Sequence, residues 1–146
     1  MVRTRRLLAL AAGTLMALAA AGCQSADRLA DSEAFLNRYF DALLHDDRET
    51  LEQLYSPIFF DATTAEVWFG HLDDVAEQLG PIESFEMEKW SMELLPNGAF
   101  TTFVCRVRHS RHESSDTITV VDPVDGSGLA VFGHHIRSEA LTKGAR

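Results

Sequence analysis

The chain has 146 residues, of which 46% are hydrophobic and 24% charged, and its formal net charge is −9 at pH 7. This length is that of a single domain, and the acidic balance disfavours nucleic acid and anionic membrane surfaces as electrostatic partners. Cysteine occurs only at Cys23 and Cys105, so no disulfide framework is expected to hold the fold together.

The first 22 residues have the layout of a secretory signal peptide. Three arginines, at positions 3, 5 and 6, precede an apolar stretch over 7–18, and small residues follow. The apolar stretch is shorter than the roughly 20 residues that a membrane-spanning helix needs. We therefore expect this segment to be cleaved from the exported protein.

The segment Ala20-Ala21-Gly22-Cys23 resembles the bacterial lipobox. The resemblance implies cleavage before Cys23, a diacylglyceryl group on its thiol, and a membrane anchor made of lipid. Gln24 and Ser25 follow, which resembles the lipoproteins that reach the outer membrane and face the periplasm. The alternative is an ordinary signal peptide with an incidental cysteine. Cleavage would remove three arginines and no acidic residue, which lowers the net charge to about −12.

The organisation expected after the signal peptide is a short tether, one domain and a tail. The tether covers 23–31, the domain 32–140 and the tail 141–146. Helices are predicted over 31–45 with Asp31 or Ser32 as cap, from Asp46 or Asp47 to Ser56-Pro57, and from Thr63 or Thr64 to Gly80-Pro81. Their apolar positions are Leu36, Tyr39, Phe40, Leu43, Leu44, Leu51, Leu54, Tyr55, Trp68, Leu72, Val75 and Leu79.

The second half of the domain has the pattern of strands. Four are predicted, near 85–95, 99–109, 116–122 and 129–138, with a hairpin at Pro96-Asn97-Gly98 and a turn over 123–128. Apolar parity switches between Met87 and Trp90, which predicts a β-bulge near Lys89. The fold class is therefore α+β, with N-terminal helices packed against a curved four-stranded antiparallel sheet.

The segment "FLNRYFDALLHDDRETLEQLYSPIFFD", residues 35–61, resembles the opening helices of the NTF2-like superfamily, which includes ketosteroid isomerase-like and SnoaL-like proteins. The resemblance implies a cone with an internal pocket. It also implies an isomerase or lyase alternative, in which Tyr39 takes the place of the family tyrosine, Asp61 lies near the catalytic base, and Asp122 mimics an acid on a strand. The competing interpretation makes Tyr39 a core residue with its hydroxyl at the rim, and Asp61 a helix cap.

Several other residues are candidates for a site. Trp68 and Trp90 are expected in the core or at the mouth of a pocket, and His135 is a pocket candidate. His109 and His112 suggest a zinc site as an alternative to solvated or capping histidines. The adjacent His134 and His135 cannot both bind one metal ion from a regular strand, because neighbours face opposite ways. Cys105 is expected to be a buried, inert thiol.

The sequence therefore predicts a membrane-anchored envelope lipoprotein that is a small binding or interaction module and not an enzyme. The alternatives are an isomerase or lyase that uses Tyr39 and Asp61, and a metal-binding lipoprotein. No cofactor, metal or nucleic acid is expected. The expected partners are the membrane, a small apolar ligand or a protein, and a second copy of the chain at the strand face with Arg106 and Arg108.

Overall fold

A computed structural model describes the backbone of residues 5–143 and the side chains of residues 24–141. The chain divides into two compact units, Met1–Ala34 and Phe35–Arg146. The described part of the first unit is wholly helical. Among the residues whose side chains are described, no helix has both the length and the apolarity needed to cross a membrane. The predicted signal peptide and the Cys23 side chain lie outside the described side chains.

The first helix, α1, covers Arg5–Leu44. Its predicted start at Asp31 or Ser32 is wrong, because the backbone is already helical there. Residues 26–34 contain no proline or glycine, so nothing in them forces a helix to begin. The end of α1 belongs to the second unit and buries Leu36, Tyr39 and Phe40. The Phe40 ring stacks on that of Phe85, with centroids 3.9 Å apart.

Three shorter helices follow: α2 (Arg48–Leu54), α3 (Pro57–Ala62) and α4 (Ala65–Leu79). The predicted caps at Asp47 and Thr64 are confirmed, since each side chain accepts a hydrogen bond from the backbone N–H three residues on. The short α3 was not predicted. Ser56 caps it and Pro57 occupies its first turn, so this proline both ends one helical segment and opens the next.

The sheet is an antiparallel meander in the order β1-β2-β3-β4. Its strands are β1 (Ile82–Leu95), β2 (Gly98–His109), β3 (Glu113–Pro123) and β4 (Ala130–Arg137), and α5 (Glu139–Lys143) follows. The hairpin at Pro96-Asn97 and the bulge beside Lys89 are confirmed by the pairing of β1 with β2. The α+β class is therefore confirmed.

The core of the second unit lies between the helices and one face of the sheet. The β2 strand alternates as predicted, with Phe103, Cys105 and Val107 fully buried and Arg106 and Arg108 exposed. Ile118 and Val120 of β3 and Val131 of β4 continue this apolar face across the sheet. Polar residues on the same inner face therefore enter an apolar surrounding, where they need partners.

Candidate functional site

A line of seven polar side chains crosses the core of the second unit, and we call it the buried network. It consists of Trp68, Tyr55, Tyr39, His134, Asp116, Ser114 and His109. Successive members are joined by hydrogen bonds of 2.7, 2.6, 2.8, 2.8, 2.6 and 3.1 Å. His109 extends it to the backbone carbonyl of Gly80, 2.9 Å away. Every described buried side-chain N or O atom has a partner.

Each end of the buried network is built by a different part of the fold. The helical end comes from α1 and α4, with Tyr55 directly after α2. The sheet end comes from inward-facing positions of three neighbouring strands. Asp116 is opposite Cys105 on β2, and Ile118 is opposite His134 on β4. Strand pairing thus brings two histidines and a carboxylate together from segments that are far apart in sequence.

A β-bulge determines which histidine of β4 faces inward. Thr119 pairs with Gly133 and Val120 with Val131, so β4 carries one extra residue at this point. Val131 is buried, and simple alternation from it would turn His135 inward. The extra residue inverts the alternation. The side chain of His134 is therefore 1% exposed, while His135 is exposed.

The partners fix the direction of the hydrogen bonds at the two ends of the buried network. The Trp68 indole N–H donates to the Tyr55 hydroxyl, and the Tyr55 and Tyr39 hydroxyls share one hydrogen bond in which either can be the donor. The Tyr39 hydroxyl bonds to Nδ1 of His134, in a direction set by the His134 tautomer, and an ionised Asp116 accepts from Nε2–H of His134. At the other end, the Gly80 carbonyl can only accept, so Nδ1–H of His109 donates to it.

With a neutral His109 and an ionised Asp116, the segment from His109 through Ser114 to Asp116 has one proton fewer than its hydrogen bonds require. With Nδ1–H of His109 committed to Gly80, a neutral His109 can only accept at Nε2. The single hydroxyl hydrogen of Ser114 cannot serve both His109 and Asp116, although both distances are those of hydrogen bonds. Either His109 carries a proton on both ring nitrogens, or Asp116 is protonated toward Ser114. In both arrangements the segment of His109, Ser114 and Asp116 has no net charge.

Burial also determines the ionisation of the two tyrosines. Loss of solvation raises the pKa of Tyr55 to about 12. The pKa of Tyr39 lies well above its ordinary value, mainly through burial and further through the neighbouring Tyr55 and Asp116. Both hydroxyls therefore remain protonated at neutral pH, and each can donate one hydrogen bond.

The sheet end of the buried network borders a cavity of about 220 Å³, which we call the inner cavity. His109, Asp116 and His134 form its polar wall. The remaining wall is mainly aliphatic, with side chains from the helices and from the ends of β1 and β4. These include Leu43, Leu51, Leu72, Val75, Ile82 and Ile136. An apolar cavity with few convergent polar groups is the usual form of a small-molecule site.

Charged residues stand at the more exposed part of the inner cavity. The Arg48 guanidinium donates to Asp46 and Asp73, each at 2.5 Å, and to the backbone carbonyl of Phe69 at 3.2 Å. It also lies over the Phe69 ring, 5.0 Å from the centroid. Two carboxylates thus surround one guanidinium, and this part of the cavity has a net charge of −1.

A second, more open depression of about 620 Å³ lies between α3, α4 and β4, and we call it the outer groove. Trp68, Phe59 and His134 contribute buried walls, whereas Ile58 and Val67 are 60% and 64% exposed. His134 borders both spaces, so the buried network forms part of the wall between them.

The three residues of the isomerase alternative do not meet in the structure. Tyr39 is fully buried within the buried network and lines neither the inner cavity nor the outer groove. Asp61 is exposed on α3 and does not cap a helix. Asp122 lies on the inner face of β3, opposite Ala99, but six residues from Asp116, which is about 20 Å along a strand.

Of the aromatic and histidine residues that were predicted to line a pocket, some line one in the structure and others do not. Trp68 is buried and borders the outer groove, in agreement with the prediction. Trp90 is 47% exposed and borders neither space, so its expected place in the core is wrong. His135 is replaced as a lining residue by His134, because of the bulge.

Two functional residues, Asp116 and Ser114, were missed at the sequence level. The signal was present for Asp116, since it alternates with Ile118 and Val120 and is thus an acid on the apolar side of a strand. Ser114 continues the same alternation. His109 was assigned to the apolar side of β2, and its burial confirms this, while His112 is exposed. Within the described side chains, no three His, Cys, Asp or Glu residues are grouped as metal ligands.

Two further predictions concern Cys105 and the outer face of the sheet. Burial raises the pKa of the Cys105 thiol to about 12, consistent with an inert core residue. Arg106 and Arg108, on the expected dimer surface, form ion pairs with Glu88 and Glu83 of β1. These pairs lie in solvent, where each contributes at most about 1 kcal/mol.

Comparison with known proteins shows a similarity of fold to one solved structure but assigns the chain to no family. No family model matches the chain, and no curated protein matches it. Among solved structures, the chain is similar to Bd1075 of Bdellovibrio bacteriovorus, with a TM-score of 0.53 and 14% sequence identity. The match covers 75% of this chain and 40% of that one, so this chain corresponds to less than half of the other protein.

Proposed function

We propose that the chain is an envelope lipoprotein, anchored through Cys23, whose NTF2-like domain binds a small and mainly apolar molecule without transforming it. The observation that carries this proposal is the inner cavity, with its aliphatic wall and its three polar residues already hydrogen-bonded to one another. The order of the elements, helices first and a bulged four-stranded meander afterwards, supports the NTF2-like assignment.

Binding is favoured over catalysis because of how the polar groups are used. A catalytic acid or base must reach a proton of the substrate directly or through one water. Both hydrogen-bonding partners of the Tyr39 hydroxyl are protein groups, and Asp61 is remote on the surface. The isomerase or lyase alternative that depends on these two residues therefore has less support than a binding site.

The volume of the inner cavity limits the size of the ligand. A cavity of roughly 150 Å³ with apolar walls accommodates benzene, whereas drug-sized ligands occupy about 300–1,000 Å³. At about 220 Å³, the inner cavity suits one ring with a short substituent, or an aliphatic chain of similar size.

The binding proposal is tested with isopropylbenzene, an apolar probe of this size, by ligand-observed NMR. Ala76 lines the inner cavity from the exposed side of α4, so Ala76→Trp fills the space and is expected to weaken binding at least tenfold. Gln78→Trp places the same side chain on α4 outside the inner cavity and should leave binding unchanged. Equal affinity in both variants would contradict the proposed site.

The anchor is tested separately in intact cells of the source. A fatty-acid probe is expected to label the protein, and Cys23→Ser is expected to abolish both the label and the recovery of the protein with membranes. A wild-type protein that carries no lipid would refute the localisation, while the cavity experiment would stand. We propose the outer membrane, facing the periplasm, as the location in a double-membraned cell.

A further inference from the structure

We infer that the inner cavity selects ligands that present a hydrogen-bond donor, as an apolar amine or alcohol does, over ketones and carboxylates of the same shape. The inference rests on the proposed function and specifies the ligand class of that same site. It follows from an inventory of the hydrogens on the polar wall formed by His109, Asp116 and His134.

The two histidines of the polar wall have no hydrogen to give to a ligand. Nδ1 of His134 contacts Tyr39 and Nε2 contacts Asp116, at 2.8 Å each. Nδ1 of His109 contacts the Gly80 carbonyl, and Nε2 contacts Ser114. All four ring nitrogens are thus engaged within the protein, and an imidazole has no other polar atom.

The conclusion is the same for either position of the additional proton. If His109 carries it, the Nε2–H points to Ser114, and Ser114 donates to Asp116. If Asp116 carries it, its O–H points to Ser114, and Ser114 donates to His109. In both arrangements every N–H and O–H of the segment is used internally, so the polar wall offers no donor to a ligand.

The polar wall can still accept hydrogen bonds from a ligand, and it does so at Asp116. The Asp116 carboxyl group makes one hydrogen bond at each oxygen, to Ser114 and His134, and lone pairs remain on both oxygens in either arrangement. The Asp116 side chain is 3% exposed, so water competes weakly for the rest. A ligand N–H or O–H gains a bond there, whereas a ligand carbonyl that faces the polar wall would meet only lone pairs and aliphatic groups.

The charges around the inner cavity act in the same direction. At its exposed end, the Arg48 guanidinium is already paired with Asp46 and Asp73. With two carboxylates around one guanidinium, this end of the inner cavity carries a net charge of −1. A carboxylate ligand is therefore opposed by repulsion, while a protonated amine is attracted.

The test compares four probes of nearly identical shape: 1-phenylethylamine, 1-phenylethanol, acetophenone and isopropylbenzene. Affinities are measured by NMR titration of the wild-type protein at neutral pH. We expect the amine and the alcohol to bind at least tenfold more tightly than the ketone, the fold-change typical of one buried hydrogen bond to a charged or strongly polar group. The ketone should bind no better than isopropylbenzene.

Two carboxylate variants of β3 locate the effect. Asp116→Asn presents donors in place of an acceptor, and it should reduce the preference for the amine over the ketone at least tenfold. Asp122→Asn changes the same functional group outside the inner cavity and should leave the preference intact. If the Asp116→Asn protein does not fold, the affinities of the four probes for the wild-type protein decide the question.

The outcomes separate this inference from the proposed function. If isopropylbenzene and acetophenone bind as tightly as the amine and the alcohol, the cavity is a binding site but the inference is overturned. If the ketone binds more tightly than the alcohol, the inference is overturned as well. If none of the four probes binds, the proposed function fails and the inference fails with it.

Discussion

Removal of the Tyr39 hydroxyl, by Tyr39→Phe, is the sharpest test of the buried network. The side chain is fully buried, and its hydroxyl joins Tyr55 at 2.6 Å to His134 at 2.8 Å. The variant leaves the Tyr55 hydroxyl without its Tyr39 partner and Nδ1 of His134 unpaired. Each unpaired buried group costs about 1–3 kcal/mol, so we expect a loss of about 2–4 kcal/mol after partial relaxation.

The loss is measured by urea and thermal denaturation. For a domain of this size, 1 kcal/mol corresponds to about 4 °C in Tm, so the midpoint should fall by about 8–16 °C. Thr102→Val is a suitable control. It removes a hydroxyl that bonds to Thr119 at 3.1 Å on the partly solvated face of the sheet, and it should cost less than about 1 kcal/mol.

A double-mutant cycle with Tyr55→Phe tests the connection itself. Tyr55→Phe alone leaves the Trp68 indole N–H without an acceptor. The double variant leaves only that N–H and the His134 nitrogen unpaired, which is no more than Tyr39→Phe alone leaves. Its cost should therefore be about 1–3 kcal/mol less than the sum of the two single variants. Additive losses, or a Tyr39→Phe effect below about 0.5 kcal/mol, would refute the network as described.

Two further predictions concern stability. Tyr39 and Tyr55 are the two tyrosines of the chain, and burial raises the pKa of both, so phenolate absorbance should appear only as the protein unfolds at alkaline pH. The pKa of each tyrosine is higher in the folded protein than in the unfolded one, where it is about 10, so the protonated tyrosines stabilise the fold fully below pH 10. As the pH rises from there toward the folded pKa, the free energy of unfolding falls by about 1.4 kcal/mol per pH unit for each tyrosine. A midpoint near pH 10 in the folded protein would contradict the assignment. Gly80→Ala should destabilise by about 1–3 kcal/mol in urea denaturation, because φ is +89° and a Cβ would overlap the Ser110 hydroxyl, whereas Gly70→Ala, in the open middle of α4, should stabilise by about 0.5–1 kcal/mol. Equal effects of the two substitutions would contradict this account of Gly80.

Helix boundaries were predictable where a residue imposes local geometry. Asp47 and Thr64 cap helices, and Gly80 ends α4 with a positive φ. The start of α1 was not predictable, because Asp31 and Ser32 are compatible both with a helix cap and with a helix interior. The short α3 shows the same ambiguity at Pro57, which is unfavourable inside a helix and favourable in its first turn.

Much of the site could not be predicted from the sequence, for a different reason. Tyr39 was recognised as important, but its partners are far away in the chain, since His134 is 95 residues later. The side chain of His134 faces inward only because one extra residue in β4 inverts the alternation, and the sequence signal for this bulge is a single glycine, Gly133, inside the strand. Asp122 was selected in place of Asp116, although both lie on the same face of β3.

By itself the sequence determined the α+β class, the meander, the bulge beside Lys89 and the burial of Cys105, because periodicity and turn chemistry act between near neighbours. The tertiary structure alone decided which polar residues meet, that Tyr39 is enclosed and Asp61 is not, and that His134 faces the inner cavity instead of His135. These depend on strand register and on the packing of helices against the sheet, which place distant residues within hydrogen-bonding distance and leave no local trace.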